Sequence, residues 1–266
     1  MNRRVLVVIA AAALVALLLA PVATLIGRAL GGGALVGVAS SPVVLEALRL
    51  SLVTTGISLV VTLVLGTPLA YLLARRATRL TAIVEVVVDL PLVLPPSVAG
   101  LGLLLVLGRR GVAGDALDAI GITIPFTTVA VILAQVFVAA PFYVRAARAA
   151  IAGVSRDLQD AARVDGASEL GVFVNVTVPL ARPGISAGLV MSWARSLGEF
   201  GATILFAGNV IGRTQTLPLV VYAEFQSGDL EAAIAAASVL VLAAVGVLMA
   251  TRLVRGGRAL ELASAT

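Results

Sequence analysis

Residues 160–185 read D-A-A-R-V-D-G-A-S-E-L-G-V-F-V-N-V-T-V-P-L-A-R-P-G-I and lie between two long apolar segments. The charges of this stretch, with Pro179 and Pro183, set it apart from both. Its start reads as a short helix ending near Gly166, because Ser155 can cap the beginning and glycine suits the left-handed position just past a helix end. A second short helix starts from Ser168. Ala161 and Ala162 offer a smooth face for close packing, and Leu170, Val172, Phe173 and Val176 are apolar residues in a polar loop. A mere connector needs neither feature, so residues 155–183 read as a loop built to dock.

The rest of the chain says where such a loop would sit. Of the 266 residues, 60% are hydrophobic and 12% charged, whereas soluble domains are about half apolar and a quarter charged. The expected fold class is therefore all-α, a polytopic membrane protein. A net charge of +5 could suggest nucleic acid, but the arginines sit at the ends of apolar runs and form no basic face. With no cysteine and no histidine, the chain can build no disulfide framework, thiolate nucleophile, imidazole base or Cys/His metal site. All 19 basic residues are arginine, so the lysine-bearing phosphate loop cannot exist here. If ATP drives this protein, another chain hydrolyses it.

Six spans are expected, at about residues 5–27, 48–74, 82–108, 124–144, 184–207 and 232–254, within one membrane domain covering 1–266. The first run could be a signal peptide or a membrane helix, and its length suits a full span. A Gly-rich connector from Arg28 to Pro42 follows it. With the N-terminus inside, the inner arginines are Arg3, Arg4, Arg75, Arg76, Arg79, Arg145, Arg148, Arg156, Arg163, Arg182, Arg252, Arg255 and Arg258. They outnumber Arg28, Arg49, Arg109, Arg110 and Arg213 outside. That bias puts both termini and the docking loop in the cytoplasm, leaving about 109–121 and 209–229 as external loops.

Two spans carry unusual residues. The third contains L-P-L-V-L-P-P, with Pro91, Pro95 and Pro96. Each proline removes a backbone donor and clashes with the preceding turn, so a regular helix cannot pass unbroken. Such a break is tolerated only where protein or a wet cavity satisfies the freed groups. It marks either a packing kink or part of a path. The fifth span contains S-W-A-R-S-L-G-E-F-G-A-T, with Arg195 and Glu199 spaced to pair on one helix face. Counting from Gly184, Arg195 lies roughly 17 Å into a hydrocarbon core about 30 Å thick. The two charges form either a structural ion pair or part of the path. Gly188, Ser192, Ser196, Gly198 and Gly201 add small residues that allow close helix approach.

The order acid-Ala-Ala, Gly, aliphatic, aliphatic, Pro, borne by Asp160, Ala161, Ala162, Gly166, Val176, Val178 and Pro179, resembles the cytoplasmic EAA loop of ABC-importer permeases. Asp160 stands where that family usually has Glu, one methylene shorter. The strings A-R-S-L-G-E-F-G-A-T, F-A-G-N and G-R-T-Q-T-L-P-L, with D-L-P-L-V-L-P-P, resemble the permeases of molybdate and tungstate importers, with sulfate importers as relatives. The resemblance runs from about Leu48 onward. It implies a type I importer permease in a prokaryotic inner membrane, carrying a tetrahedral oxyanion. The implied partners are a second copy, two cytoplasmic ATPase subunits that bind the ATP, and an extracytoplasmic oxyanion-binding protein. Asp160, Ala161, Ala162, Gly166, Ala167, Ser168, Val176 and Pro179 would contact the ATPase. Pro91, Pro95, Pro96, Arg195, Ser196, Gly198, Glu199 and Gly201 would belong to the path. A sulfate or thiosulfate permease, a self-contained secondary carrier and a membrane-embedded enzyme are the alternatives. The docking loop argues against the carrier, and the missing His and Cys argue against the enzyme.

Overall fold

The computed structural model describes residues 3–31, 41–76 and 78–264, with side chains throughout except at Arg3, Ala250 and residues 252–264. Most of the expected Gly-rich connector, and the side chains of Arg252, Arg255 and Arg258, lie outside the described residues. Among the described residues every regular element is helical. The elements are α1 (Arg3–Gly31), α2 (Pro42–Arg75), α3 (Arg79–Val93), α4 (Pro96–Leu107), α5 (Gly114–Ala119), α6 (Thr128–Ala152), α7 (Arg156–Val164) and α8 (Glu169–Val172). A π-helical turn (Phe173–Thr177) leads on to α9 (Val178–Leu197), α10 (Gly201–Phe206), α11 (Leu217–Ser227) and α12 (Leu230–Ser264).

Five helical segments are long and apolar enough to cross a membrane, or up to six if α3 and α4 together make one span. These two helices meet at an angle of 118°. The sharp bend falls at Leu94 and Pro95, both of which have extended ψ angles near 130°. A proline disfavours the helical region for the residue before it, and Pro95 followed by Pro96 imposes that twice in succession. Pro91, by contrast, is accommodated inside α3, as Pro68 is in α2 and Pro141 in α6. A single proline is thus absorbed here, and the adjacent pair is where the helix stops.

The chain divides into two compact units. One comprises Met1–Arg49 and Gln215–Thr266, and its core joins Val44 and Ala47 of α2 to Leu217 and Val220 of α11 and Ala236 of α12. The expected second external loop therefore contains an apolar helix with a buried face. The other unit, Leu50–Thr214, has two clusters. Ala70 and Leu73 of α2 pack with Tyr143, Val144, Ala147 and Ile151 of α6 and Ala181 of α9. Ala99 of α4 packs with Ala130, Val131, Ala134 and Val138 of α6 and Ala202 and Phe206 of α10.

Small residues set the closest helix approach in the second unit. A Cβ added to Gly184 would collide with the Ala150 methyl, and one added to Gly188 would lie 2.8 Å from that of Ala146. Two glycines four apart on α9 thus meet two alanines four apart on α6, which lets the backbones come close enough for dispersion to hold them. At the end of α6, Arg148 pairs with Glu85 at 2.8 Å and Arg145 approaches Asp89 at 3.8 Å, tying α6 to α3.

Candidate functional site

The stretch expected to dock begins with the local structure read from the sequence. The Ser155 hydroxyl accepts from the Asp157 N–H at 3.2 Å and caps α7. At the other end the Gly166 N–H donates to Arg163 O (3.0 Å) and the Ala167 N–H to Ala162 O (2.9 Å), with Gly166 at φ +88°. This pair of reversed bonds satisfies orphan carbonyls at a helix end, and it needs the left-handed residue that glycine provides. Ser168 then caps α8 by accepting from the Gly171 N–H at 3.1 Å.

The second helix is not short. α8 runs through the π turn into α9, so one helical segment extends from Glu169 to Leu197. Pro179 has no N–H for the carbonyl four residues back, and the turn before it opens instead, with the Val178 N–H donating to Phe173 O, five residues back. The widened turn lets the chain pass a proline that was expected to hold it out of a span. Pro183 likewise sits inside α9.

Arg163, which the sequence did not single out, holds the two helices together. Its Nη1 donates to Asp160 Oδ1 at 2.6 Å, while Nε and Nη2 donate to the two oxygens of Glu169 at 2.6 and 3.2 Å. The planar guanidinium fork is suited to such a two-pronged carboxylate contact. The bonds to Glu169 first, and to Asp160 after them, hold this guanidinium above its ordinary range. The only signal in the sequence was an acid and an arginine three apart.

The apolar residues of the stretch divide in two. Val172 is fully buried, and the Phe173 ring meets Tyr71 of α2 edge-on at 4.9 Å, with the Arg75 guanidinium 5.0 Å from the same tyrosine ring. Val176 is half-buried. Leu170 is 71% exposed and Val164 87%, and Leu158 also faces outward. Asp160 and Ala161 are exposed on the same helix as Leu158 and Val164. The sequence did not point to Leu158 and Val164, because the turn of α7 that exposes them is not visible in a residue count.

The second constellation joins α4, α9 and α10. α9 stops at Leu197, so the expected span over 184–207 is not one helix: Gly198, Glu199 and Phe200 form a break before α10. Glu199 is only 1% exposed; its Oε2 lies 2.6 Å from Arg195 Nη1, and its Oε1 accepts from the Ala202 N–H at 2.7 Å. The carboxylate therefore neutralises the arginine and caps α10 at once, from outside the helix face on which the pair was expected. The Arg195 side chain keeps 27% of its surface exposed. Ser196 shares a 3.1 Å hydrogen bond with Ser58 of α2. Gly201 abuts Pro96, and Gly100 abuts the Ala202 backbone. Pro96, Arg195, Ser196, Glu199 and Gly201 are thus brought into one neighbourhood, Gly198 caps α9 at its edge, and Pro95 occupies the bend. Pro91 lies a turn earlier inside α3.

A model of the family described as "Binding-protein-dependent transport system inner membrane component" matches residues 66–258. The chain is 44% identical to the "Molybdenum transport system permease protein ModB" of Mycobacterium tuberculosis (strain ATCC 25618 / H37Rv), over 74% of this chain and 75% of that protein. It is 43% identical to the protein of the same description in Escherichia coli (strain K12), over 68% and 80%. To the "Probable transport system permease protein NifC" of Clostridium pasteurianum it is 40% identical, over 79% and 73%. Among solved structures, a chain of a bacterial ABC transporter involved in the import of the acidic polysaccharide alginate superposes with a TM-score of 0.71, at 21% identity, over 84% of this chain and 82% of that one. A chain of the MetNI methionine ABC transporter superposes with a TM-score of 0.62, at 20% identity, over 80% and 95%. These two likenesses concern the fold alone.

Proposed function

The chain belongs to the family of binding-protein-dependent transport system inner membrane components, and from that premise we propose that it is the membrane subunit of an ATP-driven importer of molybdate or tungstate. The observation that carries the substrate is the identity of 43–44% with molybdenum transport permeases over some three quarters of their length. In this reading the chain makes six spans, the third bent at Leu94 and Pro95, with both termini in the cytoplasm. Two copies enclose the path as a single membrane domain each, and an extracytoplasmic binding protein delivers the anion. ATP is hydrolysed by a separate pair of subunits, in keeping with a chain that contains no lysine.

Coupling would run through the helix pair α7–α8. Leu158, Val164 and Leu170 offer the ATPase apolar surface to bury, and Asp160 gives a charged edge that sets orientation. The clamp at Arg163 makes the pair move as a unit. From Glu169 the helical segment continues for roughly 40 Å to Arg195 at 1.5 Å per residue. A displacement imposed at the docking surface would therefore be carried to the Arg195–Glu199 break by a rigid rod, and sideways to α2 through Phe173 and Tyr71.

At the break, Glu199 is wholly enclosed while part of the guanidinium stays open, so a passing anion would meet Arg195. A fixed positive charge lowers the barrier to an anion at a constriction, and the paired carboxylate tempers that charge so that the anion can leave. The test is ATP-dependent uptake of molybdate into vesicles holding this chain, the ATPase and the loaded binding protein, with sulfate as competitor. Uptake that needs ATP and resists excess sulfate is expected. Uptake by the chain alone would point to a secondary carrier and overturn the reading.

A further inference from the structure

Apart from both constellations, a cavity of about 500 Å³ opens between the end of α4, the segment before α6 and the loop after α10, all within the unit Leu50–Thr214. Its lining is Leu104, Arg109, Thr123, Pro125, Phe126 and Arg213, with Thr127 at the start of α6. Both arginines are exposed, and among the described residues neither has a carboxylate within ion-pair distance, although Asp115 and Asp118 follow on α5. Arg145, Arg148, Arg163 and Arg195 of the same unit each have an acid within ion-pair distance. Two like charges facing one cavity repel each other unless an anion joins them.

The cavity's frame is held in detail. Phe126 has φ +60°, the one positive value outside glycine among the described residues. Its N–H donates to Phe206 O at 3.3 Å, and its ring fills the space that a side chain at Gly208 would need. The Thr128 hydroxyl donates to Arg213 O at 2.9 Å, and the Arg213 N–H to Val210 O at 3.1 Å. The Val210 N–H in turn donates to the Thr214 hydroxyl at 2.9 Å. The backbone of Arg213 is thus fixed on both sides while its guanidinium is left without an acid. A backbone conformation that bulky residues avoid persists only where its surroundings impose it, and such positions gather at binding sites.

From this arrangement we propose that Arg109 and Arg213 form an oxyanion site at the outer mouth of the protein, taking up the anion before it reaches Arg195. Guanidinium forks match the oxygens of a tetrahedral anion, and the Thr123 hydroxyl adds a donor on the same wall. A cleft lined by one sign of charge raises the local concentration of its counter-ion and speeds its capture. The site stands on the side opposite the docking loop, where the binding protein would release its cargo. The identity of the anion and the side of the membrane rest on the proposed function; the pair of unmatched arginines does not.

The test uses the full chain in lipid discs with radiolabelled molybdate, and with sulfate in parallel. Wild type, Arg109→Gln/Arg213→Gln and Arg110→Gln are compared, the last removing a neighbouring charge outside the cavity. Binding weakened by about tenfold or more in the double variant, with a change under about twofold in the control, is expected for the loss of charge-assisted bonds. Thermal unfolding of all three checks that the frame is intact. Equal binding by wild type and double variant overturns the inference, even if the complete complex imports molybdate. Unaltered anion binding with loss of binding-protein docking also overturns it, and would make the cavity a socket for an acidic side chain. Failure of the complete wild-type complex to import molybdate counts against the function instead, and the sulfate measurement then decides the cavity independently.

Discussion

Gly201 lies so close to Pro96 that a Cβ placed on it would stand 2.8 Å from the proline Cβ and 3.1 Å from the Ser97 nitrogen. Two motifs more than a hundred residues apart in the sequence therefore meet where α4 begins against the start of α10. Neither neighbour can yield cheaply, since one is a ring and the other backbone.

Gly201→Ala should accordingly destabilise the protein by about 1–3 kcal/mol, the usual cost of overpacking. Gly198→Ala is the control, because a Cβ there meets nothing nearer than the Ala194 oxygen at 3.7 Å. Thermal unfolding in detergent reads both, and equal behaviour of the two would refute the close approach.

Removing Arg195 should be worse than neutralising Glu199. Arg195→Met leaves a buried carboxylate without its counter-charge, a loss of about 3–5 kcal/mol for a broken buried pair. Glu199→Gln keeps an oxygen that can accept from the Ala202 N–H. The double variant Arg195→Met/Glu199→Gln should regain most of the lost stability but not uptake, if the guanidinium faces the anion. Wild-type uptake by a stable double variant would reduce the pair to a structural role.

Gly166→Val should uncouple ATP hydrolysis from transport while leaving the chain in the membrane. A β-branched residue resists the φ of +88° by which α7 ends. Gly166→Asn should retain much of the coupling, because asparagine tolerates the left-handed region. Substrate-stimulated ATPase activity of the reconstituted complex is the measurement, and normal stimulation in the valine variant would defeat the argument.

Arg163→Gln should also weaken coupling, and Arg163→Lys should restore it only in part, since an ammonium cannot reproduce the fork on Glu169. The shift of the arginine is upward, so its charge is present at every pH below its unfolded value and is lost only as pH rises past the folded one. The deficit should therefore be the same in mildly acid and mildly alkaline buffer. Full rescue by lysine would mean that the clamp acts by charge alone.

Orientation can be read by labelling, because the chain has no native cysteine. Val112→Cys, at a position 91% exposed, should react with an impermeant maleimide from outside, and Ser168→Cys only after permeabilisation. The reverse pattern would invert the proposed topology and remove the proposed docking surface from the cytoplasm.

The sequence by itself determined the class of this protein, because apolar run length and the gathering of most arginines at run ends are properties of composition along a line, and burial in lipid depends on little else. It also located the ends of α7, since a cap and a left-handed glycine act within a few residues. It did not reveal the continuity from Glu169 to Leu197, because a proline's local effect was offset by a π turn that forms where Val172 is buried and Phe173 lies against Tyr71 of α2. Nor could it show that Glu199 caps a separate helix, that Arg163 joins two helices, or that Arg109 and Arg213 line one cavity. The clamp at Arg163 depends on how α7 turns into α8, while the other relations rest on the packing around α4, α6, α9 and α10, whose close approaches fall at Gly100, Gly184, Gly188 and Gly201. Each glycine is visible in the sequence, but which backbone it admits is decided only when the helices are brought together.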